Sequence, residues 1–259
     1  MKRAISILLA AASLVFACAA HAGGISDTGV NAYWGSDSHG YGDVIGDSTY
    51  DIQGATISRV GTVLTIVIST NFAGNAGIDS SITAGGIGYG DVFLANTWNP
   101  YGTDPNHVND NASNGTLWSY GFSLDNRYSN TGGSFELYQL NGKTNATDVL
   151  TSNNLMKCQL GVSCYYRDGQ AAAVNTTSST VKDTGLSGKW SVSSNALTFT
   201  IDIAKSSLVN YNTFAMHWGE TCQNDVIEGQ TSVVPLPGTL PLLGLGLGAL
   251  LFVRRRRML

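Results

Sequence analysis

The chain reads as an all-β protein: a two-layer β-sandwich, with a jelly-roll among the arrangements that fit, set between two apolar end segments. Three observations carry this reading. Short runs rich in β-branched and aromatic residues recur from Ala55 to Gly219, turn-forming pairs separate them, and no stretch between the ends keeps apolar residues at a 3.6-residue period. Fifteen of the eighteen acidic residues are aspartate, alongside 31 glycines. That is turn chemistry, because aspartate and glycine favour tight turns and weaken helices.

Taken in order, residues 1–22 have the form of a secretory signal. Lys2 and Arg3 supply the positive start, Ala4 to Ala20 is almost wholly apolar, and Ala20-His21-Ala22 places small residues at minus three and minus one, so cleavage is expected after Ala22. The rival reading, a lipoprotein signal with Cys18 at plus one, is poorly matched by Phe16. Residues 23–232 form the expected extracellular domain. Within it, "ATISRVGTVLTIVIST" (Ala55 to Thr70) alternates in its second half, which points Leu64, Ile66 and Ile68 into the core. Strands are also expected over 90–96, 116–124, 133–140, 196–204 and 212–219. Turns are expected at Gly74-Asn75, Asn114-Gly115, Asn141-Gly142 and Ser194-Asn195, the last at the tip of a hairpin. The sequons at Asn111, Asn114, Asn145 and Asn175 mark expected exposed polar loops.

Residues 23–234 hold eight Lys and Arg against eighteen Asp and Glu, a formal charge of −10. Such a surface repels phosphate backbones and attracts cations, which argues against nucleic acid as a partner. Three cysteines lie beyond the signal. The close pair Cys158 and Cys164 suits a small disulfide loop in an oxidising compartment and leaves Cys222 over, although Cys222 with either partner stays open.

The last segment, 233–259, begins with 21 uncharged residues, Val233 to Val253. At about 1.5 Å per helical residue they match the roughly 30 Å hydrocarbon core of a bilayer, so a single transmembrane helix is expected. Pro235, Pro237 and Pro241 mark its entry, and Arg254, Arg255, Arg256 and Arg257 are expected to stay on the cytoplasmic side. A plain anchor that is never cut fits the same physics. The arrangement of proline box (Pro235, Leu236, Pro237, Gly238), glycine-bearing apolar span and terminal arginine cluster resembles the PEP-CTERM class of bacterial sorting signal, in its VPLPA-like variant. The resemblance implies membrane insertion, then processing near the proline box by an exosortase-type membrane enzyme, in a Gram-negative bacterium that makes exopolysaccharide. The segments "DVIGD", "STNFAG", "YGDVFLANTWNPYG" and "MHWGETCQNDVIEG" are similar to segments recurring in the ectodomains of such surface proteins and carry no assigned activity.

Candidate sites follow from residue chemistry. Asp104 and Asp110 in an Asn-rich loop, and Asp43 and Asp47 with Asp51 in a second acidic run, offer oxygen ligands of the kind calcium takes, though both runs also suit solvated turns. No other cofactor is expected. Trp98, Tyr101, Trp118 and Tyr120 can form a sugar-stacking platform, with Trp118 and Tyr120 expected on one face of a strand; core packing explains that pair equally well. His217 and Glu220 stand three residues apart, a spacing common by chance and better read as a structural histidine. GxSxG, HExxH and GxxxxGK motifs are absent. Asp91, Asp125, Glu136 and Asp202 are available for glycoside chemistry, but nothing in the sequence selects a pair. The expectation is a non-enzymatic protein of the cell surface or exopolysaccharide matrix, passing transiently through the inner membrane. The alternatives are a carbohydrate-binding module and, behind it, a polysaccharide hydrolase.

Overall fold

The structure is a computed structural model that describes residues 21–27, 33–34, 44–46, 48–101, 113–143, 145–160, 164 and 166–233. The strands are β1 (His21–Ser26), β2 (Tyr33–Trp34), β3 (Val44–Ile45), β4 (Ile52–Val60), β5 (Val63–Thr70), β6 (Val92–Ala95) and β7 (Tyr120–Leu124). They continue with β8 (Gly132–Gln139), β9 (Val149–Thr151), β10 (Ala171–Val174), β11 (Lys182–Ser193), β12 (Ala196–Asp202), β13 (Thr213–Gly219) and β14 (Val226–Ser232). Helix among the described residues is confined to a four-residue α1 (Ser152–Leu155) and two single 3-10 turns, so the all-β expectation holds.

Ten strands form one sheet in the order β1-β4-β5-β12-β11-β8-β7-β6-β13-β14, every neighbouring pair antiparallel. The sheet curls until its two edge strands meet. A Cβ built on Gly23 of β1 would lie 1.9 Å from Thr231 Oγ1 and 2.7 Å from Ser232 O on β14, so glycine is what lets the edges approach this closely. Near-closure shields two edges that would otherwise present unpaired backbone groups.

The alternation in β5 does what its pattern demands: Leu64, Ile66 and Ile68 are fully buried, while Val63 and Ser69 are exposed. They meet Ile57 of β4 and Phe199 and Ile201 of β12, which belong to the same main core. Within that core Phe122 of β7 stacks on Phe135 of the neighbouring β8 at 4.4 Å and approaches Phe199 at 6.4 Å. The hairpin expected around Ser194-Asn195 joins β11 to β12, with Asn195 at φ 59°, a conformation asparagine tolerates better than most residues.

Strand β6 alternates no polarity, because both of its faces are covered. Val92 and Leu94 enter the main core, whereas Phe93 and Ala95 enter a second core with Trp118, Leu140, Val149, Ala171, Val174 and Ala215. The antiparallel pair β9–β10 supplies this outer layer. Asp91 fastens it: its buried carboxylate accepts from Val174 N at 2.7 Å and Leu124 N at 3.1 Å and pairs with Arg127 at 3.2 Å. Burial raises this carboxyl, and Arg127 and the two backbone donors act against that. Among the described residues no helix is long and apolar enough to cross a membrane; the expected transmembrane span lies outside them.

Candidate functional site

Two buried polar clusters lie on the β13–β14 hairpin, one on its strands and one in its turn. Strand β13 sends Phe214, Met216 and Trp218 into the main core. His217, of opposite parity, faces the second core beside Phe93 and Trp118, with ring centroids 6.1 and 5.7 Å away. Antiparallel register places His217 directly opposite Glu228 on β14. Nδ1 of His217 lies 3.1 Å from Glu228 Oε2, and both side chains are nearly inaccessible, at 2% and 3%. His217 Nε2 must donate to Ala171 O at 2.8 Å, since a carbonyl only accepts. The Nδ1 contact therefore needs one further proton shared between imidazole and carboxyl. Trp98 Nε1 donates to Glu228 Oε1 at 2.8 Å, and Trp98 N donates to Gln230 Oε1 at 2.9 Å.

The histidine partner is thus Glu228, not Glu220, which sits in the turn with its side chain on the other side of the sheet. A small cavity beside the pair, lined by Thr116, Trp118, Gln170, His217 and Glu228, has room on the scale of one water and none for a sugar ring. The cluster ties β13, β14, the outer strand β10 and the Trp98 loop together.

The turn from Glu220 to Asp225 is buried at every residue, which is unusual for a connection. Its backbone survives burial because it is paired. Thr221 N donates to Gly88 O, Gln223 N to Glu220 O, Arg167 N to Cys222 O and Ile45 N to Asn224 O. Asp225 accepts from Ile52 N and Val226 N, each at 2.7 Å. Gln223 takes φ 54°, and its Nε2 also donates to Glu220 O at 2.8 Å. Several side-chain oxygens are not paired: both carboxylate oxygens of Glu220, Gln223 Oε1 and Asn224 Oδ1 have no hydrogen-bond partner. Burial pushes the Glu220 carboxyl up to about 8, against the pull of nearby backbone N–H groups and the Arg167 charge, with the Asp27 charge adding to the rise. Burial likewise pushes the free Cys222 thiol well up.

The remaining candidates are distributed differently from expectation. Trp98 is half-buried and Tyr101 is exposed, but Trp118 packs in the second core and Tyr120 in the main one. They do not share a face: the regular ladder starts at Tyr120, so strict alternation does not reach back to Trp118. Asn145, expected in an exposed loop, is buried; its side chain accepts from Trp118 N and donates to Thr116 O. Asp51 holds Gln53 and Asn71 locally. Asp43, Asp47, Asp104, Asp110 and the tail residues Pro235, Leu236, Pro237, Gly238 and Arg254 to Arg257 lie outside the described residues. Cys158 and Cys164 are disulfide-bonded, and among the described residues Cys222 is the free thiol. Among the described residues no three His, Cys, Asp or Glu side chains gather as metal ligands.

Sequence reasoning missed both clusters. The signal was the hairpin itself: a fold centred between Cys222 and Gln223 sets His217 against Glu228, but no Asn-Gly or Asp-Gly pair advertises that turn. No protein-family model, no curated protein and no solved structure matches the chain.

Proposed function

We propose that the chain is an exported, non-enzymatic β-domain that works at the cell surface or in the exopolysaccharide matrix, delivered by its N-terminal signal and its PEP-CTERM-like tail. The observation that carries this reading is the Cys158–Cys164 disulfide, because such bonds form and persist mainly outside the reducing cytosol. The rolled sheet is read as a flattened two-layer β-sandwich, a rigid acidic body suited to a structural role. Processing would fall to an exosortase-type enzyme in the inner membrane, and the domain's last described residue, Val233, stands just before the Pro235–Gly238 box.

The test is the intact mass of the mature protein from the cell envelope and from the medium. A C-terminus between Pro235 and Gly238, with a tail-deleted variant lost from the surface, is the expected result. Normal surface location without the tail overturns the reading. A second reading, carbohydrate binding, is favoured by the exposed Tyr101, which follows the half-buried Trp98 by three residues in the chain. It requires retention on the host's own polysaccharide that Tyr101→Ala abolishes while the circular dichroism spectrum is unchanged.

A further inference from the structure

The unpaired atoms of the β13–β14 turn share one chemistry. Glu220 Oε1 and Oε2, Gln223 Oε1 and Asn224 Oδ1 are all oxygen acceptors, and they come from a five-residue stretch. Glu220 and Gln223 are fully buried and Asn224 is 4% exposed, so bulk water does not satisfy them. Leaving a buried acceptor unmade is costly, and a buried carboxylate more so. Among the described residues no buried side-chain nitrogen is left without a partner. What this turn lacks is therefore positive charge or donors, not acceptors.

The surroundings point the same way. Asp27 lies within electrostatic reach of Glu220, Asp79 acts with Glu220 on both Tyr50 and Cys222, and Asp225 is in the turn itself; Arg167 is the cation acting on Glu220. The backbone of the turn is held by Gly88, Arg167 and Ile45 and is thereby preorganised. Carboxylate and amide oxygens in a preorganised acidic turn are the ligand set of a hard cation. A zinc-type site is excluded by the donors, which include no imidazole or paired thiolates.

We propose that the turn Glu220–Asn224 binds a calcium-class divalent cation, with Glu220 as the anchoring carboxylate and the side-chain oxygens of Gln223 and Asn224 as neutral ligands. Asp27 is the second acid of the site. The inference goes beyond the proposed surface role and does not depend on where the protein is displayed.

The experiment is thermal unfolding of the mature protein recovered from the envelope, stripped with EDTA and then titrated with calcium chloride, with magnesium chloride alongside. At calcium about a hundredfold above its dissociation constant, a rise in Tm of about 5–10 °C is expected. Glu220→Gln preserves volume and removes the charge; it is expected to match or exceed the wild type in EDTA and to lose the calcium response. A double Asp104→Asn, Asp110→Asn variant is expected to keep it, which separates this turn from the acidic loop. Terbium luminescence gives a second readout independent of unfolding, since Tyr89 pairs with Glu220 across an isolated bridge and can sensitise a bound lanthanide. If Glu220→Gln fails to fold, calcium-displaceable terbium emission at one site per chain still supports the site in the wild type. No calcium response in the wild type, or an equal response in folded Glu220→Gln, overturns the proposal.

Discussion

His217 and Glu228 face each other across the β13–β14 ladder, 3.1 Å apart and buried, with Ala171 O and Trp98 Nε1 holding the far side of each. Register brings them together, and the Phe93 and Trp118 rings pack beside the imidazole. Removing one member strands the other. His217→Ala is expected to destabilise the domain by about 3–5 kcal/mol, whereas replacing both residues with apolar ones of similar volume should come close to neutral. Urea unfolding of the two variants checks this; equal losses would mean that the pair itself contributes little.

The seam between β1 and β14 makes a positional prediction. Gly23→Ala meets Thr231 and the backbone of Ser232, while Gly24→Ala, one residue on, has nothing closer than 4.0 Å. The first should cost about 1–3 kcal/mol, the second close to nothing. Similar denaturation midpoints for both would show that the edges do not approach as closely as described.

Phe122 is fully buried and packs with Phe135 and Phe199, which also lie against each other at 6.0 Å, as one aromatic cluster of the main core. Phe122→Ala is expected to cost about 3–5 kcal/mol, measured by urea unfolding, because it opens a cavity inside this fully buried cluster.

Asp125 supplies a pH prediction. Slight burial raises its carboxyl, but the N–H and hydroxyl of Ser134, the Trp190 indole and Asn126 N prevail and hold it below the usual carboxylate range. Its contribution is present above the ordinary aspartate pKa and is lost as pH falls through the lowered folded value. Carboxyl chemical shifts followed by NMR should place its midpoint below that of a free aspartate, and Ser134→Ala should move the midpoint up. An unmoved midpoint refutes the assignment of the donors.

Val233 is buried in the main core and donates its N–H to Asn212 O. A chain of residues 23–233 is therefore expected to give cooperative thermal unfolding, and one of residues 23–225, which lacks β14, to lose it. Circular dichroism melts distinguish the two.

Residue pattern by itself determined the class of this fold. Alternation in β5 dictates which side chains face inward, because a period of two allows only that answer once one face is buried. The two close cysteines pointed to one small loop with Cys222 left over, because a six-residue spacing closes easily, and the structure joins that pair. What only tertiary structure decided was the partners of the polar residues. His217 and Glu228 are eleven positions apart, and Trp98 reaches them from another loop; nothing local couples such residues until hairpin register and the β9–β10 layer bring them together. Glu220 reads in sequence as one more acid near a histidine. Its unpaired state follows from where the main core closes around the turn, and burial is a property of the whole fold and not of any segment.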